Sequence, residues 1–433
     1  MDGTTIEFDP IAQEALRLME DTTEHIFLTG RAGTGKSTLL EHFRETTAKK
    51  IAVVAPTGVA ALNVHGQTIH SFFSFSIDIT ESTVKRASGR KKMLFQKLQT
   101  LVIDEISMVR ADLLDCIDIS LRLNGPKPEM PFGGVQVIFI GDLYQLPPVV
   151  QSDEEELFSN HYKSPYFFDA KVFHAIESRM RYIELTKAYR QKDKDFLEVL
   201  DAIRMSRMTD AHMALINKRC DPAFNDESND FCINLKTTNA AADAWNRGKL
   251  AKLTTKQHTF TGVVTGDFRE RNLPTSETLV VKEGAQVMLL NNDQQNRWVN
   301  GDVGIVESVR ESHDGTIISV RLRNGTVVPV TEHTWDMIRF FYDAETQQIE
   351  SQTVGTFTQY PIRLAWAVTI HKAQGKTFDR VVIDFGRGTF AHGQAYVALS
   401  RCTTLDGLVL KMPLKHEHIF IDEQIETFME RFR

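Results

Sequence analysis

The stretch HIFLTGRAGTGKSTLLEHFRET, residues 25 to 46, contains the pattern that decides the fold. It begins with an apolar segment typical of a buried strand and ends with the spacing of an amphipathic helix. Between them, Gly30, Gly35, Lys36 and Ser37 satisfy G-x-x-x-x-G-K-[ST], and Gly33 adds a third glycine. A loop of this kind directs backbone N–H groups and a helix N-terminus at phosphate groups. The stretch therefore predicts a nucleotide-binding α/β core.

Two side chains of this loop have predicted roles at a nucleoside triphosphate. Lys36 is expected to reach the β- and γ-phosphates, and the Ser37 hydroxyl is expected to bind Mg²⁺. The remaining contacts should come from the loop backbone and the first helical turn. The predicted nucleotide-binding residues of the loop are Gly33, Thr34, Gly35, Lys36, Ser37 and Thr38.

Two further apolar strands end in residues that suit hydrolysis. LVIDE, residues 101 to 105, ends in Asp104, suited to hold Mg²⁺ through water, and Glu105, suited to orient or deprotonate the attacking water. Gln145 follows the strand of GVQVIFIGDLYQLPPV, residues 134 to 149, and is placed to sense a γ-phosphate. The alternative for Gln145 is a rigid loop without ligand contact. The carboxylate pair favours a hydrolysing ATPase over a phosphotransferring kinase.

The sequence also bears on which base is bound. The guanine-reading pattern N-K-x-D fails in NKRCD, residues 217 to 221, because the aspartate comes one position late. Gln13 lies on a predicted helix before the first strand, and its amide could read the adenine edge. A solvated surface glutamine is the alternative. ATP is therefore the predicted nucleotide.

A second phosphate-binding turn follows the next strand, in IAVVAPTGVAALNVHGQTIHSFF, residues 51 to 73. Pro56, Thr57 and Gly58 form a turn whose hydroxyl and N–H groups could bind the phosphates of a polymer. Phe72 and Phe73 could stack on unpaired bases, or they could belong to the core. This stretch predicts contact with a single-stranded nucleic acid.

The second half of the chain repeats the alternation of strands and helices without a second phosphate loop. Gly375 falls in a turn and Arg401 at a helix end, so this half could supply an arginine across a cleft. Arg190 is a second candidate for that role. Short alternating runs joined by glycine turns lie from residue 279 to 332, and they predict a small inserted β-barrel.

Composition narrows the partners. The net charge is −7, so a nucleic acid must be gripped locally; VKRASGRKK, residues 84 to 92, is the dense basic run, with a solvated loop as the alternative. No apolar run approaches the roughly 20 residues of a membrane span. Four scattered cysteines argue against zinc, an iron–sulfur cluster or disulfides. Without a recognisable targeting segment, we expect a cytoplasmic, nucleoid-associated protein if the source is bacterial, with a nuclear location also open.

Together these motifs resemble the PIF (petite integration frequency) DNA helicases of superfamily 1B, in the RecD-like branch. The resemblance covers nearly the whole chain and rests on the phosphate loop, APTGVAALNV, DEIS, PFGG with GDLYQLPPV, YRQ, TIHKAQGKTF and AYVALSRCT. It implies an α/β fold of two tandem RecA-like P-loop cores with a small inserted SH3-like β-barrel. The implied bounds are 1–190 for the first core, with a wedge or surface loop near 65–90, and 191–433 for the second core, interrupted at about 275–350.

The resemblance also implies an activity and assigns residues. A monomeric motor would use ATP and Mg²⁺ to move 5′ to 3′ on single-stranded DNA and to unwind duplex at single-strand/duplex junctions. G-quadruplexes, RNA:DNA hybrids and roles in replication, repair, recombination and telomere or genome maintenance are implied in the same way. The implied ATP site is Gln13, Lys36, Ser37, Asp104, Glu105, Gln145, Arg190, Gly375 and Arg401. The implied DNA track is Thr57, Phe72, Asn239, His371 and Lys372, with Pro56 and Gly58 beside Thr57.

Two other functions stay open at this point. One is a nucleotide-switched module that binds single-stranded DNA without unwinding it; Glu105 and the two arginines speak against that reading. The other is an ATPase of a different kind, such as a clamp loader or an RNA helicase. RNA helicases of the second superfamily carry D-E-A-D-like acids where this chain has DEIS.

Overall fold

A computed structural model gives the fold of the chain. It describes residues 8–76, 78–150, 158–187, 189, 193–225, 231–268, 273–313, 315–385, 389 and 391–432. Arg190, one of the two predicted arginines, lies outside these residues.

The strands alternate with helices in both halves of the chain. The strands are β1 Ile26–Gly30, β2 Ile51–Ala55, β3 Gln67–Thr68, β4 Thr100–Ile103, β5 Gln136–Ile140, β6 Arg181–Leu185, β7 Ile233–Lys236, β8 Gln257–Thr261, β9 Val263–Gly266, β10 Thr278–Lys282, β11 Gln286–Leu289, β12 Val303–Ser312, β13 Gly315–Leu322, β14 Val327–Val330, β15 His333–Tyr342, β16 Ile349–Gln359, β17 Ile362–Leu364, β18 Ala367–Thr369, β19 Val381–Ile383 and β20 Leu408–Leu410. The α-helices are α1 Pro10–Asp21, α2 Lys36–Thr46, α3 Gly58–Asn63, α4 Ile69–Phe73, α5 Gly89–Lys97, α6 Ala111–Asn124, α7 Lys171–Ile176, α8 Lys194–Arg204, α9 Asp210–Asn217, α10 Asn239–Lys252, α11 Ile370–Ala373, α12 Gln394–Leu399 and α13 Glu423–Glu430.

Two parallel sheets form the centres of the two cores. The first has six strands in the order β3-β2-β4-β5-β1-β6, and the second has four in the order β18-β7-β19-β20. Every residue of β1, β4 and β5 is buried, as continuous apolar runs require when helices cover both faces of a parallel sheet. The carboxyl ends of β1, β4 and β5 therefore bring the phosphate loop, the carboxylates and Gln145 to one edge.

Glycine sets the course of the phosphate loop. Gly30 ends β1 with φ +151°, and a Cβ there would lie 2.6 Å from the carbonyl oxygen of Leu185. Gly35 precedes α2 in the left-handed region at φ +86°. Side chains are disfavoured at both positions, so the two motif glycines allow the tight approach of the loop to β6.

The β-rich part of the second half is wider than the sequence indicates. Its extra strands begin at Gln257 and end at Leu364, outside the predicted bounds of about 275–350. They form three separate antiparallel groups: a five-stranded sheet β14-β13-β12-β11-β17, the pair β10-β8, and a three-stranded sheet β15-β16-β9. The early strands β8 and β9 are largely exposed, so they lack the apolar alternation that marks a strand in sequence.

The hairpin formed by β15 and β16 reaches the first core. The backbone N–H of Phe340 donates to Oε1 of Gln67 at 3.0 Å, and the rings of Phe340 and Phe72 lie 6.1 Å apart. Tyr342 is buried in the same apolar cluster as Phe72. The inserted strands therefore contact both cores.

The end of the chain also returns to the first core. Phe428 on α13 stacks on Phe168 with ring centroids 4.3 Å apart, and the Tyr166 hydroxyl donates to Asp422 at 2.9 Å. The range 191–433 thus contains a segment that completes the core of the first half. An amphipathic helix shows an apolar face in sequence, but not which of two cores that face will cover.

The described part of the segment near 65–90 consists of short helices and one short strand. It contains β3, α4, a short 3₁₀ turn at Glu81–Thr83 and the start of α5. β3 extends the first parallel sheet beside β2. Most of the described residues between α4 and α5 are exposed or half-buried. Across the described ranges, no helix combines the length and apolar character needed to traverse a bilayer.

Candidate nucleotide and DNA sites

A cavity of about 600 Å³ lies where the two cores face each other. The first core contributes the phosphate loop, Asp104, Glu105 and Gln145, and the second contributes Gly375 and Arg401. Lys36 and Arg401, from opposite halves of the polypeptide, therefore line one cavity. All six predicted loop residues, from Gly33 to Thr38, also line it.

Lys36 is folded back onto its own loop. Its Nζ donates to the carbonyl oxygens of Gly30 at 2.6 Å and Arg31 at 3.1 Å. Burial lowers the pKa of the Lys36 ammonium, and the negative charges of Asp142 and Glu105 oppose that shift. Phosphate oxygens would offer this buried cation a stronger, charged partner than the two carbonyls do.

Asp104 and Glu105 are a half-buried acid pair directly after β4. Burial raises the pKa of both carboxyl groups above their ordinary values, and the neighbouring Asp104 raises that of Glu105 further. Glu105 also has a left-handed backbone, φ +51° and ψ +45°, which is uncommon for a residue with a side chain. A cation beside this pair would relieve the cost of burying negative charge.

The donor set fits Mg²⁺ rather than a metal held by protein alone. Ser37 and Asp104 both line the cavity and offer the oxygen ligands that Mg²⁺ prefers. Among the residues that the structure describes, no group of three or more His, Cys, Asp or Glu side chains could hold a metal ion.

Gln145 is buried and has partners from both cores. Its Nε2 donates to Oδ2 of Asp142 at 3.3 Å, and its Oε1 accepts from Nε2 of Gln374 at 3.0 Å. The same Gln374 nitrogen donates to Oε2 of Glu105 at 3.1 Å. Gln374 was not predicted as a site residue, although it lies inside the quoted TIHKAQGKTF. Its place in the site depends on contacts between the two halves of the chain, which the sequence does not show.

Arg401 is 1% exposed and holds a turn of its own core. Its guanidinium donates to the carbonyl oxygens of Val397 at 2.8 Å, Lys376 at 3.1 Å and Ala373 at 3.3 Å. The last two carbonyls flank Gly375. Arg401 thus fixes the turn that forms the second-core wall of the cavity.

Two further side chains tie α8 and α12 to this site, and neither was predicted. The Tyr396 hydroxyl accepts a hydrogen bond at 3.0 Å from the backbone N–H of Ala32, inside the phosphate loop. Arg204, at the end of α8, pairs with Asp142 at 3.2 Å and with Glu184 at 3.1 Å. These contacts join different segments of the chain, so a pattern within one segment does not predict them.

Part of the cavity lining is apolar or aromatic and suits a base. Phe8, Ala12, Leu185 and Tyr189 line it, and the Tyr189 backbone N–H donates to the carbonyl oxygen of Gly33 at 2.9 Å. Gln13 is exposed and does not line the cavity; its Nε2 donates to the carbonyl oxygen of Phe8 at 2.8 Å. The predicted adenine reader thus lies next to the lining residues rather than among them.

The predicted DNA residues are divided between the two cores. Thr57 is exposed at the end of β2, between Pro56 and Gly58, and caps α3 by accepting the N–H of Ala60 at 3.2 Å. On the second core, a separate groove of about 740 Å³ is lined by Asn239 and Lys372 among others.

His371 adjoins this groove, and the two cores also touch beside it. His371 is half-buried next to Lys372, and burial lowers its pKa. The Asn300 side chain contacts Asn63 of α3 at 3.4 Å and accepts from Lys376. This contact connects the end of α3 to the turn after α11.

The stacking role predicted for Phe72 is wrong. Phe72 is 2% exposed, and its ring packs edge-on against Phe73 at 4.9 Å and Phe95 at 5.6 Å. It is a core residue, the alternative that its sequence context left open. The aromatic pair FF signals burial as readily as base stacking because both depend on the same apolar surface.

Comparison with known proteins places this site in a family. A family model described as "PIF1-like helicase" matches residues 8–214, and one described as "Helicase" matches residues 292–429. The ATP-dependent DNA helicase Pif1 of Bdellovibrio bacteriovorus is 32% identical, with 99% of this chain and 92% of the relative covered. This chain belongs to the PIF1-like helicase family. The family predicted from the motifs is confirmed. The chain spans 58–62% of the length of one fungal and five vertebrate PIF1 helicases.

Two solved structures of a Bacteroides Pif1 match the whole fold to different degrees. The complex with ADP-AlF4 is 36% identical, with a TM-score of 0.90. The form bound to ssDNA is 34% identical, with a TM-score of 0.70; both comparisons cover 99% of this chain and 97% of the other. The α/β fold with two RecA-like cores is thereby confirmed. Since identity and coverage are nearly equal, the difference in TM-score reflects a different arrangement of the same parts.

Proposed function

We propose that this PIF1-like helicase is an ATP-driven motor that moves 5′ to 3′ along single-stranded DNA and parts duplex DNA at junctions. The observation that carries the proposal is the shared cavity. Lys36 of the first core and Arg401 of the second both line it, so one bound nucleotide would contact both cores. Binding and hydrolysis of ATP would then change the distance between the cores. Direction of travel rests on the family resemblance.

The roles of the cavity residues follow from their positions. Lys36 neutralises the β- and γ-phosphates, while Ser37 and Asp104 would hold Mg²⁺, which would supply further positive charge to the phosphates. Glu105 orients or deprotonates the attacking water. Arg401 adds positive charge from the second core as the γ-phosphoryl group leaves, a contribution worth roughly 10³ to 10⁵ in rate in related enzymes.

Nearby aromatic and amide groups would bind the base. Tyr189 would stack on the adenine, and Gln13 would turn toward its edge once the base displaces the bond to Phe8. Gln145 would contact the γ-phosphate and report its presence. These assignments give the triphosphate partners at both ends.

Single-stranded DNA would be gripped at two places. The turn Pro56, Thr57 and Gly58 forms the first-core grip, and Asn239, His371 and Lys372 form the second. Alternating release of these grips as the cleft closes and reopens would carry the chain along one strand. The Bacteroides Pif1 bound to ssDNA supports this use of the fold, and its lower TM-score supports a rearrangement when DNA binds.

The range of substrates extends beyond forked duplexes by resemblance. G-quadruplexes and RNA:DNA hybrids are candidate substrates, and replication, repair, recombination and telomere or genome maintenance are candidate settings. The exposed section after α4 is the candidate wedge for parting such substrates.

A strand-separation assay tests the proposal. Duplexes with a 5′ tail, a 3′ tail or an RNA tail are incubated with the full chain, ATP and Mg²⁺. We expect separation of the 5′-tailed DNA and ATP turnover stimulated by single-stranded DNA. ATP turnover without any separation would favour the non-unwinding DNA-binding ATPase, and preference for the RNA tail would favour an RNA helicase.

A further inference from the structure

Gln374 forms a polar contact across the cleft between the two cores. Its side-chain nitrogen donates to Glu105 Oε2 at 3.1 Å and to Gln145 Oε1 at 3.0 Å. A primary amide nitrogen carries two hydrogens, so these two bonds use both. Gln374 belongs to the second core, whereas both acceptors belong to the first. The hydrolysis residues therefore depend on the position of the second core.

The backbone around Gln374 is held firmly. Arg401 donates to the carbonyl oxygens of Ala373 and Lys376, on either side of Gln374. The Gln374 N–H donates to the carbonyl oxygen of His371 at 3.2 Å, and Gly375 continues the turn at φ +78°. A braced backbone leaves the side chain few alternative directions, so Gln374 points reproducibly at the opposite core.

The same short segment carries the DNA residues of the second core. Gln374 follows α11, whose single turn contains His371 and Lys372. Lys372 is exposed and lines the groove of about 740 Å³. Because α11 is only four residues long and Gln374 follows it directly, a shift of α11 caused by a bound phosphate would also move Gln374.

We propose that Gln374 is a positioning residue that orients Glu105 and Gln145 according to the position of α11, and so transmits DNA binding to ATP hydrolysis. The inference rests on the proposed function of the cleft and adds a coupling residue to it. Glu105 has a left-handed backbone of the kind that persists only where its surroundings hold it, and the bond from Gln374 is one of the contacts that hold this residue. Gln374 itself does not line the nucleotide cavity.

Three variants of the full chain test the coupling. Gln374→Ala removes the amide, and Gln374→Glu keeps the shape but removes both N–H groups and sets a carboxylate against Glu105. Gln96→Ala, an exposed position on α5, is the matched control. Steady-state ATP turnover is measured with and without single-stranded DNA, alongside the Kd for a fluorescent oligonucleotide.

We expect Gln374→Ala to lower the DNA-stimulated kcat about 10-fold, as misplacement of a catalytic group does. KM for ATP and Kd for DNA should stay within about threefold, because neither ligand loses a direct contact. Gln374→Glu should lose at least as much kcat, which excludes lost volume as the cause. The ratio of stimulated to unstimulated turnover should fall in both variants and stay unchanged in the control.

Other results would overturn the inference. A Gln374→Ala enzyme with the same stimulation as Gln96→Ala would show that the cross-cleft bonds do not matter. A raised KM or Kd with unchanged kcat would make Gln374 a binding residue instead. If Gln374→Ala does not fold, retained stimulation in Gln374→Glu is decisive against the proposal. Absence of DNA-stimulated turnover in the parent chain is a separate result and would contradict the proposed function itself.

Discussion

Arg401 combines two physical tasks at one residue. Its guanidinium lines the nucleotide cavity, and it also bonds carbonyl oxygens on both sides of Gly375. Its positive charge also acts on the pKa of Glu105. Burial raises that pKa, and the charge of Arg401 lowers it by a smaller amount. Substitution here must therefore be compared with one that keeps the positive charge.

For Arg401→Ala we expect kcat for ATP hydrolysis to fall by at least about 10²-fold, because the second core then offers no cation to the leaving phosphoryl group. KM should change only a few-fold. Arg401→Lys keeps the charge but not the fork of donors, and it should recover part of the loss. Lys36→Ala, measured beside them, should abolish turnover. Near-normal hydrolysis by Arg401→Ala would mean that the second core does not serve the nucleotide.

Phe72→Ala should affect folding rather than DNA affinity. Truncating a buried phenylalanine costs about 3 to 5 kcal/mol of unfolding free energy. Met93→Ala, at a side chain 41% exposed on the neighbouring α5, is the control and should cost little. Chemical denaturation and oligonucleotide binding are measured on both variants. Weakened binding by a Phe72→Ala protein of normal stability would restore the stacking role.

Because of the buried His25 side chain, we expect the free energy of unfolding to decrease in mild acid. Burial lowers the pKa of His25 from 6.5 to about 4, and its Nδ1 accepts the N–H of Val137 at 3.0 Å. Between those two values the unfolded chain binds a proton that the folded chain excludes, so stability is full above pH 6.5 and falls as the pH drops toward 4. The expected loss at pH 5 is about 2 kcal/mol.

His25→Asn keeps an acceptor for Val137 but cannot titrate in this range. The loss of unfolding free energy between pH 7 and pH 5 should therefore be smaller in this variant by about 2 kcal/mol. His161→Asn, at an exposed histidine, should retain the loss of the parent protein. Equal pH dependence in all three proteins would show that His25 can be protonated in the folded state.

At the scale of elements, features that depend on neighbouring residues could be predicted from the sequence, whereas contacts between distant segments could not. The phosphate loop, the strand ends at Asp104 and Gln145, and the family were readable because each depends on a few neighbouring residues. The contacts of Gln374 and Tyr396 join opposite cores, and no spacing within one segment encodes them. The same limit applies to β8 and β9, whose exposed residues hide the strand period, and to α13, whose apolar face fits either core.

The attachment of α13 to the first core makes a stability prediction at this scale. Phe428→Ala should lower the unfolding free energy of the first core by about 3 to 5 kcal/mol, although it lies in the last ten residues of the second half. Phe420→Ala, at a side chain 42% exposed, is the control and should change it by less than about 0.5 kcal/mol. Limited proteolysis with mass spectrometry identifies which core opens. Cleavage confined to the second half would contradict the packing.

At the scale of the whole molecule, the described residues connect the first core to the rest at several places. These include the cleft contacts, the contact between Asn63 and Asn300, the hairpin of β15 and β16, and α13. The hairpin contact is the one that the inserted strands would have to release if they move as a body, because Phe340 and Tyr342 pack on the first core. The Bacteroides Pif1 complex with ADP-AlF4 and the form bound to ssDNA match this chain with TM-scores of 0.90 and 0.70, and we predict that a movement of this kind occurs here when DNA binds.

Spin labels at Met93 on α5 and at Glu345, in the exposed turn between β15 and β16, would measure this movement in a Cys220→Ser background. Since β15 lies against α5, we expect a short distance in the free protein and with nucleotide alone. Single-stranded DNA should lengthen it, because the hairpin must leave the first core for the inserted strands to reorient. Labels at Met93 and Lys163, both on the first core, should report one distance throughout. A Met93–Glu345 distance that DNA leaves unchanged would place the rearrangement elsewhere in the molecule.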